Sequence, residues 1–141
     1  MIGTWKGTYK YHLKQNSEFN NKEVEFILEI KEFDGEKFIG TVQDMDEIYG
    51  TRGVGTIEGK LSDNHIQFTK QMPVKTVIFN NNKQKIEVKN KKHTPIFYSG
   101  ILNSSNSYIG KWKIKGGIGF IQKLLCISFG NEGTWEMTKI K

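Results

Sequence analysis

The chain contains one cysteine, Cys126, two prolines, Pro73 and Pro95, and one arginine, Arg52. No apolar run approaches the roughly 20 residues of a membrane-crossing helix, so no membrane span is expected and the product is read as soluble. A single thiol excludes an intrachain disulfide and gives no sign of an oxidising compartment. Set among Leu124, Leu125 and Ile127, it is read as a buried apolar group. The net charge of +6 rests almost wholly on lysine. Phosphate and base recognition favours the guanidinium fork, so no nucleic-acid partner is expected. Lysines spread along outward strand positions also discourage edge-to-edge aggregation.

Sites for chemistry are equally scarce. His12, His65 and His93 are dispersed without metal-ligand spacing, so no metal is expected. There is no Gly-x-Ser-x-Gly elbow. Gly53-Val54-Gly55 and Gly116-Gly117-Ile118-Gly119 lack the helix and acidic residue of a dinucleotide fingerprint, and no cofactor is expected. Strand patterning begins with Trp5 ahead of any basic-then-apolar leader, so a cytoplasmic location is expected. The abundance of Lys, Asn and Ile suits a bacterial or phage genome of low GC content.

What is present is a repeated phrase: apolar, any, Gly, any, apolar. It occurs as Trp5-x-Gly7-x-Tyr9, Phe38-x-Gly40-x-Val42, Ile57-x-Gly59-x-Leu61, Tyr98-x-Gly100-x-Leu102 and Tyr108-x-Gly110-x-Trp112. Side chains alternate faces along a strand, so each Gly points the same way as its two apolar flankers. An inward glycine leaves space for a neighbouring ring and lets a sheet bend until it closes. With 141 residues, residues 1–141 form one domain with one core. The expected fold is all-β, an antiparallel up-and-down meander closed into a barrel of about eight to ten strands.

Strands are expected over 4–12, 24–32, 37–44, 53–61, 65–70, 75–80, 84–89, 96–102, 108–114 and 134–140. Asp34-Gly35 and Asp63-Asn64 mark hairpin turns, and Asn80-Asn81-Asn82 a further turn. Residues 14–23, 45–52 and 89–95 read as loops. Over 116–129 the apolar residues Ile118, Ile121, Leu124 and Leu125 suit a helical stripe, while Cys126 to Phe129 suits a strand. An apolar plug or short helix is expected there.

The opening Gly3-Thr4-Trp5-Lys6-Gly7-Thr8-Tyr9 resembles the Gly-x-Trp strand that begins proteins of the calycin superfamily: lipocalins, fatty-acid-binding proteins and avidins. Gly110-Lys111-Trp112 and Gly133-Thr134-Trp135 repeat it. The resemblance implies a calycin-like barrel in which Trp5 packs across the closed floor, with Trp112 and Trp135 as further barrel-closing residues. Cys126 alone forbids the lipocalin disulfide. The loop 14–23 is too short and too polar for the helical lid of fatty-acid-binding proteins.

In a meander the ends of the first, third and fifth strands share one mouth. Tyr11, Asp44 and Lys70 fall there in the inward phase, and Tyr98, at the start of an even strand, faces the same opening. Converging polar groups in an apolar concavity are the usual form of a small-molecule site. The expected function is therefore binding of a small, partly apolar ligand, an anionic one included, at Tyr11, Asp44, Lys70 and Tyr98, with Lys70 as its charged anchor. An Asp44–Lys70 ion pair at the rim would account for both residues without a ligand. Two alternatives remain open at this point. A filled barrel would meet a protein partner through loops 13–23, 45–52 and 89–95, and a cofactor-free enzyme would use Asp44 as a base; no catalytic residue is assigned.

Overall fold

In the computed structural model, residues 1–12, 20, 22–46, 49–78, 85–88, 94–114, 117–121, 124–128 and 131–141 are described. The strands are β1 (Gly3–Tyr11), β2 (Glu23–Phe33), β3 (Lys37–Asp44), β4 (Val54–Ser62), β5 (His65–Gln71), β6 (Lys75–Ile78), β7 (Lys85–Val88), β8 (Ile96–Ser104), β9 (Ser107–Ile114), β10 (Gly117–Ile121), β11 (Leu124–Ser128) and β12 (Asn131–Lys139). Eight of them close in the order β1-β12-β9-β8-β5-β4-β3-β2, every neighbouring pair antiparallel. The fold is thus an all-β meander barrel.

The strands expected at 75–80 and 84–89 do not join the wall. As β6 and β7 they pair only with each other, between β5 and β8. The 116–129 segment, expected as a plug or short helix, forms a second hairpin in its described residues, β10 with β11 in register from Gly117↔Ser128 to Ile121↔Leu124. Five-residue strands sit below the length at which period separates helix from strand, and cross-strand pairing decided the outcome. Cys126 lies in β11 opposite Gly119; the burial of its side chain falls outside what is described. So do most of the loops expected at 13–23 and 89–95, and the turn at 80–82. An inserted pair of strands preserves direction, so β8 still runs antiparallel to β5 and the barrel still closes.

The two ends of the barrel differ. At one end the connections are tight. Asp34 leads its turn, with its Oδ1 accepting the N–H groups of Glu36 at 2.9 Å and Lys37 at 2.6 Å. These bonds hold its carboxyl below the ordinary range. Gly35 takes a φ of +99°, a region other residues avoid. Asp63, with φ of 53°, makes the β4–β5 turn. Trp5 lies at this end, buried against Tyr108 with its indole N–H donated to the Met1 carbonyl at 2.9 Å. At the other end every connection is long: 12–22, 45–53, 72–95 and 115–130.

The inward glycines are filled from within. A Cβ on Gly59 would come within 2.7 Å of the Phe38 ring and one on Gly100 within 2.7 Å of Trp135; Gly7 lies under Phe26. Gly40 and Gly110 instead meet the backbone of the adjacent strand, at Glu29–Ile30 and Ser99–Gly100. Trp135 spans the middle of the barrel, against Phe68 and Tyr98, and its indole N–H reaches the carbonyls of Lys111 at 3.0 Å and Ser99 at 3.3 Å. Glycine and ring are therefore complementary parts of one packed interior. Glu32 follows a bulge between Ile30 and Glu32, which turns its side chain out to solvent.

Candidate functional site

Beneath the long-loop end, the apolar interior is interrupted by charge. Asp44 ends β3 and Lys70 lies near the end of β5, and both are inward because they continue the alternation of Phe38, Val42 and of Ile66, Phe68. Lys70 Nζ donates to Asp44 Oδ1 at 2.5 Å, with the two side chains 2% and 0% exposed. The pair sits inside the barrel, not at its rim. Asp44 Oδ2 also accepts the Tyr9 hydroxyl at 2.9 Å and the Thr51 backbone N–H at 2.8 Å. The ammonium lies 4.7 Å from the Tyr9 ring centroid and 5.9 Å from that of Phe26, so its free side faces aromatic π-density. No buried polar side-chain atom among the described residues lacks a partner.

Tyr11 stands one step nearer the mouth. Its hydroxyl donates to the Tyr49 carbonyl at 2.9 Å, and its ring meets Trp112 edge-on at 5.2 Å. Trp112 is therefore at the loop end; it covers Gly133 and donates its N–H to the Lys10 carbonyl at 3.1 Å. Tyr98 stacks on Phe68 at 4.7 Å and 9°. All four residues expected to form the site, Tyr11, Asp44, Lys70 and Tyr98, are buried and carried by four different strands, the two tyrosines as members of the hydrophobic core cluster.

Compared with protein-family models, with curated proteins and with solved structures, the chain matches none. What the site can do is read from its geometry alone.

Sequence reasoning placed Tyr9 in the wall and missed its bond to Asp44. Tyr9 faces inward two residues before Tyr11, and the register sets it one inward position from the row of Asp44: Tyr9 pairs with Val24, while Phe26 pairs with Gly7 on one side and Asp44 on the other. Thr51 could not have been found, because it contributes a backbone N–H. Among the described residues of 45–53, Met45 N–H bonds the Glu25 carbonyl, Gly50 N–H the Asp46 carbonyl and Tyr49 N–H Asp46 Oδ1. Both Asp44 oxygens thus accept hydrogen bonds, Oδ1 from Lys70 and Oδ2 from Tyr9 and Thr51. Among the described residues no group of three or more His, Cys, Asp and Glu gathers as a metal site. His12 is on the exterior, beside the Thr134 hydroxyl at 3.1 Å.

Burial pushes the phenol pKa values of Tyr9, Tyr11 and Tyr98 above the ordinary range, and the Asp44 charge adds to the rise in each. Unfolded, these phenols ionise near pH 10, whereas the folded chain holds them neutral. The unfolded state therefore binds fewer protons above that pH. Their stabilising contribution is complete below pH 10 and is lost as pH rises toward the folded values. Ultraviolet tyrosinate titration should show these three ionising only together with the loss of the folded dichroism signal. Ionisation of all five tyrosines near pH 10 in an intact fold would contradict this burial.

Proposed function

We propose that the barrel binds a small, partly apolar molecule at its long-loop end, above a floor made by Asp44, Lys70, Tyr9, Tyr11 and Tyr98, with Trp112 as an aromatic wall. One observation carries this reading: a buried ion pair and three phenols converge from four strands at the end where all the long loops gather. Stability offers no reason for such a pair, since taking two charges out of water costs about as much as their attraction returns, and well-packed apolar side chains serve a core as well. A few polar groups in an apolar concavity are what ligand recognition requires.

Two features narrow the ligand. An eight-stranded barrel is just wide enough for its own side chains or one small molecule, and here Phe38, Phe68 and Trp135 occupy the interior away from the loops. A long acyl chain has no room. Asp44 also neutralises Lys70, so the floor carries no net charge. A neutral hydrogen-bonding ring suits it, and an anion would have to compete with Asp44 for the ammonium.

A native mass spectrum of protein from its own host should show a co-purifying molecule, and indole fluorescence should respond saturably to small aromatic ligands such as hydroxyindoles. Tyr98→Phe keeps the stack on Phe68 and removes only the hydroxyl; it should weaken binding about five- to tenfold. A bare mass with no fluorescence response overturns the proposal. The second reading, a filled barrel acting through its exterior, would then stand, and the rings lying over Gly7, Gly59 and Gly100 favour it.

A further inference from the structure

The barrel has no free edge, because each of its eight strands pairs on both sides. A partner cannot add a strand to it and must be recognised through outward side chains. Outward positions of a barrel in water are ordinarily polar, yet Phe97 and Ile39 are 41% and 43% exposed. Register places them in one row across the outer face, Lys113, Phe97, Thr69, Glu58 and Ile39. The adjacent row reads Lys111, Ser99, Gln67, Lys60 and Lys37. Between Phe97 and Ile39 the surface forms an open groove of about 880 Å³, whose lining holds three lysines, Lys37, Lys60 and Lys113, and one carboxylate, Glu58. Among the described residues no ion pair engages these three ammonium groups.

We propose that this groove docks an acidic peptide segment that carries an apolar side chain, supplied by a partner protein. The apolar residue would rest on Phe97 and Ile39, and flanking carboxylates would meet the lysines. Two observations favour a peptide over a phosphate-bearing surface such as nucleic acid. Glu58 lies between the lysines, where it repels phosphate but accepts a peptide N–H. The floor of Gln67, Thr69 and Ser99 offers both donors and acceptors, as a peptide backbone requires, and the groove contains no arginine. Lysines around an apolar centre match an acidic partner in charge.

The test titrates the full chain with the synthetic peptide Glu-Asp-Phe-Asp-Glu at low ionic strength and follows backbone amide shifts. Shifts should concentrate at Ile39, Thr69, Phe97 and Ser99. They should weaken at least tenfold in the Lys60→Glu/Lys113→Glu variant and in Phe97→Ser, both of which change exposed side chains. The absence of shifts overturns the proposal. So do equal shifts in the charge-reversed variant, equal binding of a thymidine oligonucleotide of matching charge, or a response that maps instead to self-association.

Discussion

Lys70→Met is expected to lower the unfolding free energy by about 3–5 kcal/mol, a large share of the roughly 5–15 kcal/mol that holds a domain of this size together. The loss does not measure the attraction of the pair. It arises because Asp44 would remain buried as a carboxylate whose charge nothing offsets, with only the Tyr9 hydroxyl and the Thr51 N–H still donating to it. The double variant Asp44→Asn/Lys70→Met should therefore recover most of the loss, since an amide oxygen still accepts from both donors and no charge is left. Urea unfolding of the two single variants and the double variant closes the cycle. A loss below about 1 kcal/mol for Lys70→Met is the value of a solvated surface pair, and would show that water reaches Asp44.

Trp135→Ala should cost a similar amount, about 3–5 kcal/mol, for a different reason. The indole fills the space over Gly100 and touches Phe68 and Tyr98. Removing it leaves a void that the strands on either side cannot close, because closed hydrogen bonding around the barrel fixes their spacing. It also withdraws the N–H that bonds the Lys111 and Ser99 carbonyls. Trp135→Phe separates the two effects: most of the ring volume stays and the donor is lost, so the cost should fall to about 1–2 kcal/mol. Urea midpoints at constant m-value are the readout. Phe97→Ser, on the exterior, should stay within about 0.5 kcal/mol of the parent chain, and this makes it usable as a docking variant. A Trp135→Ala cost near that small value would mean that the barrel is loose around Gly100, with room for a ligand deeper than proposed.

Trp135 and Lys70 also show where sequence reading succeeds. Both lie in the inward phase of their strands, and period-2 alternation assigns a face to each residue without any knowledge of neighbours. Because hairpins reverse direction at every turn, the same alternation predicts which strand ends share a mouth, and so brought Tyr11, Asp44, Lys70 and Tyr98 together. That grouping does not depend on how many of the expected strands join the wall. The expected pair β6-β7, which lies outside the wall, and the unforeseen pair β10-β11 each add two strands and leave the direction of the next wall strand unchanged.

What the chain determined by itself is what alternation and turn chemistry carry. These are an all-β meander, tight turns at Asp34-Gly35 and Asp63-Asn64, inward glycines with aromatic flankers, and the four polar residues of the site. What only the tertiary structure decided depends on pairing between distant segments. It set the barrel at eight strands with two hairpins outside the wall, placed rings over the glycines, made Tyr9 and the Thr51 N–H the further partners of Asp44, and put Trp112 at the loop end. It also aligned Phe97 with Ile39 across three strand pairings on the outside. Alternation says which face a residue takes, but a register shift of one pair of residues changes which side chains meet across strands, and that choice is made by the packing of the whole barrel.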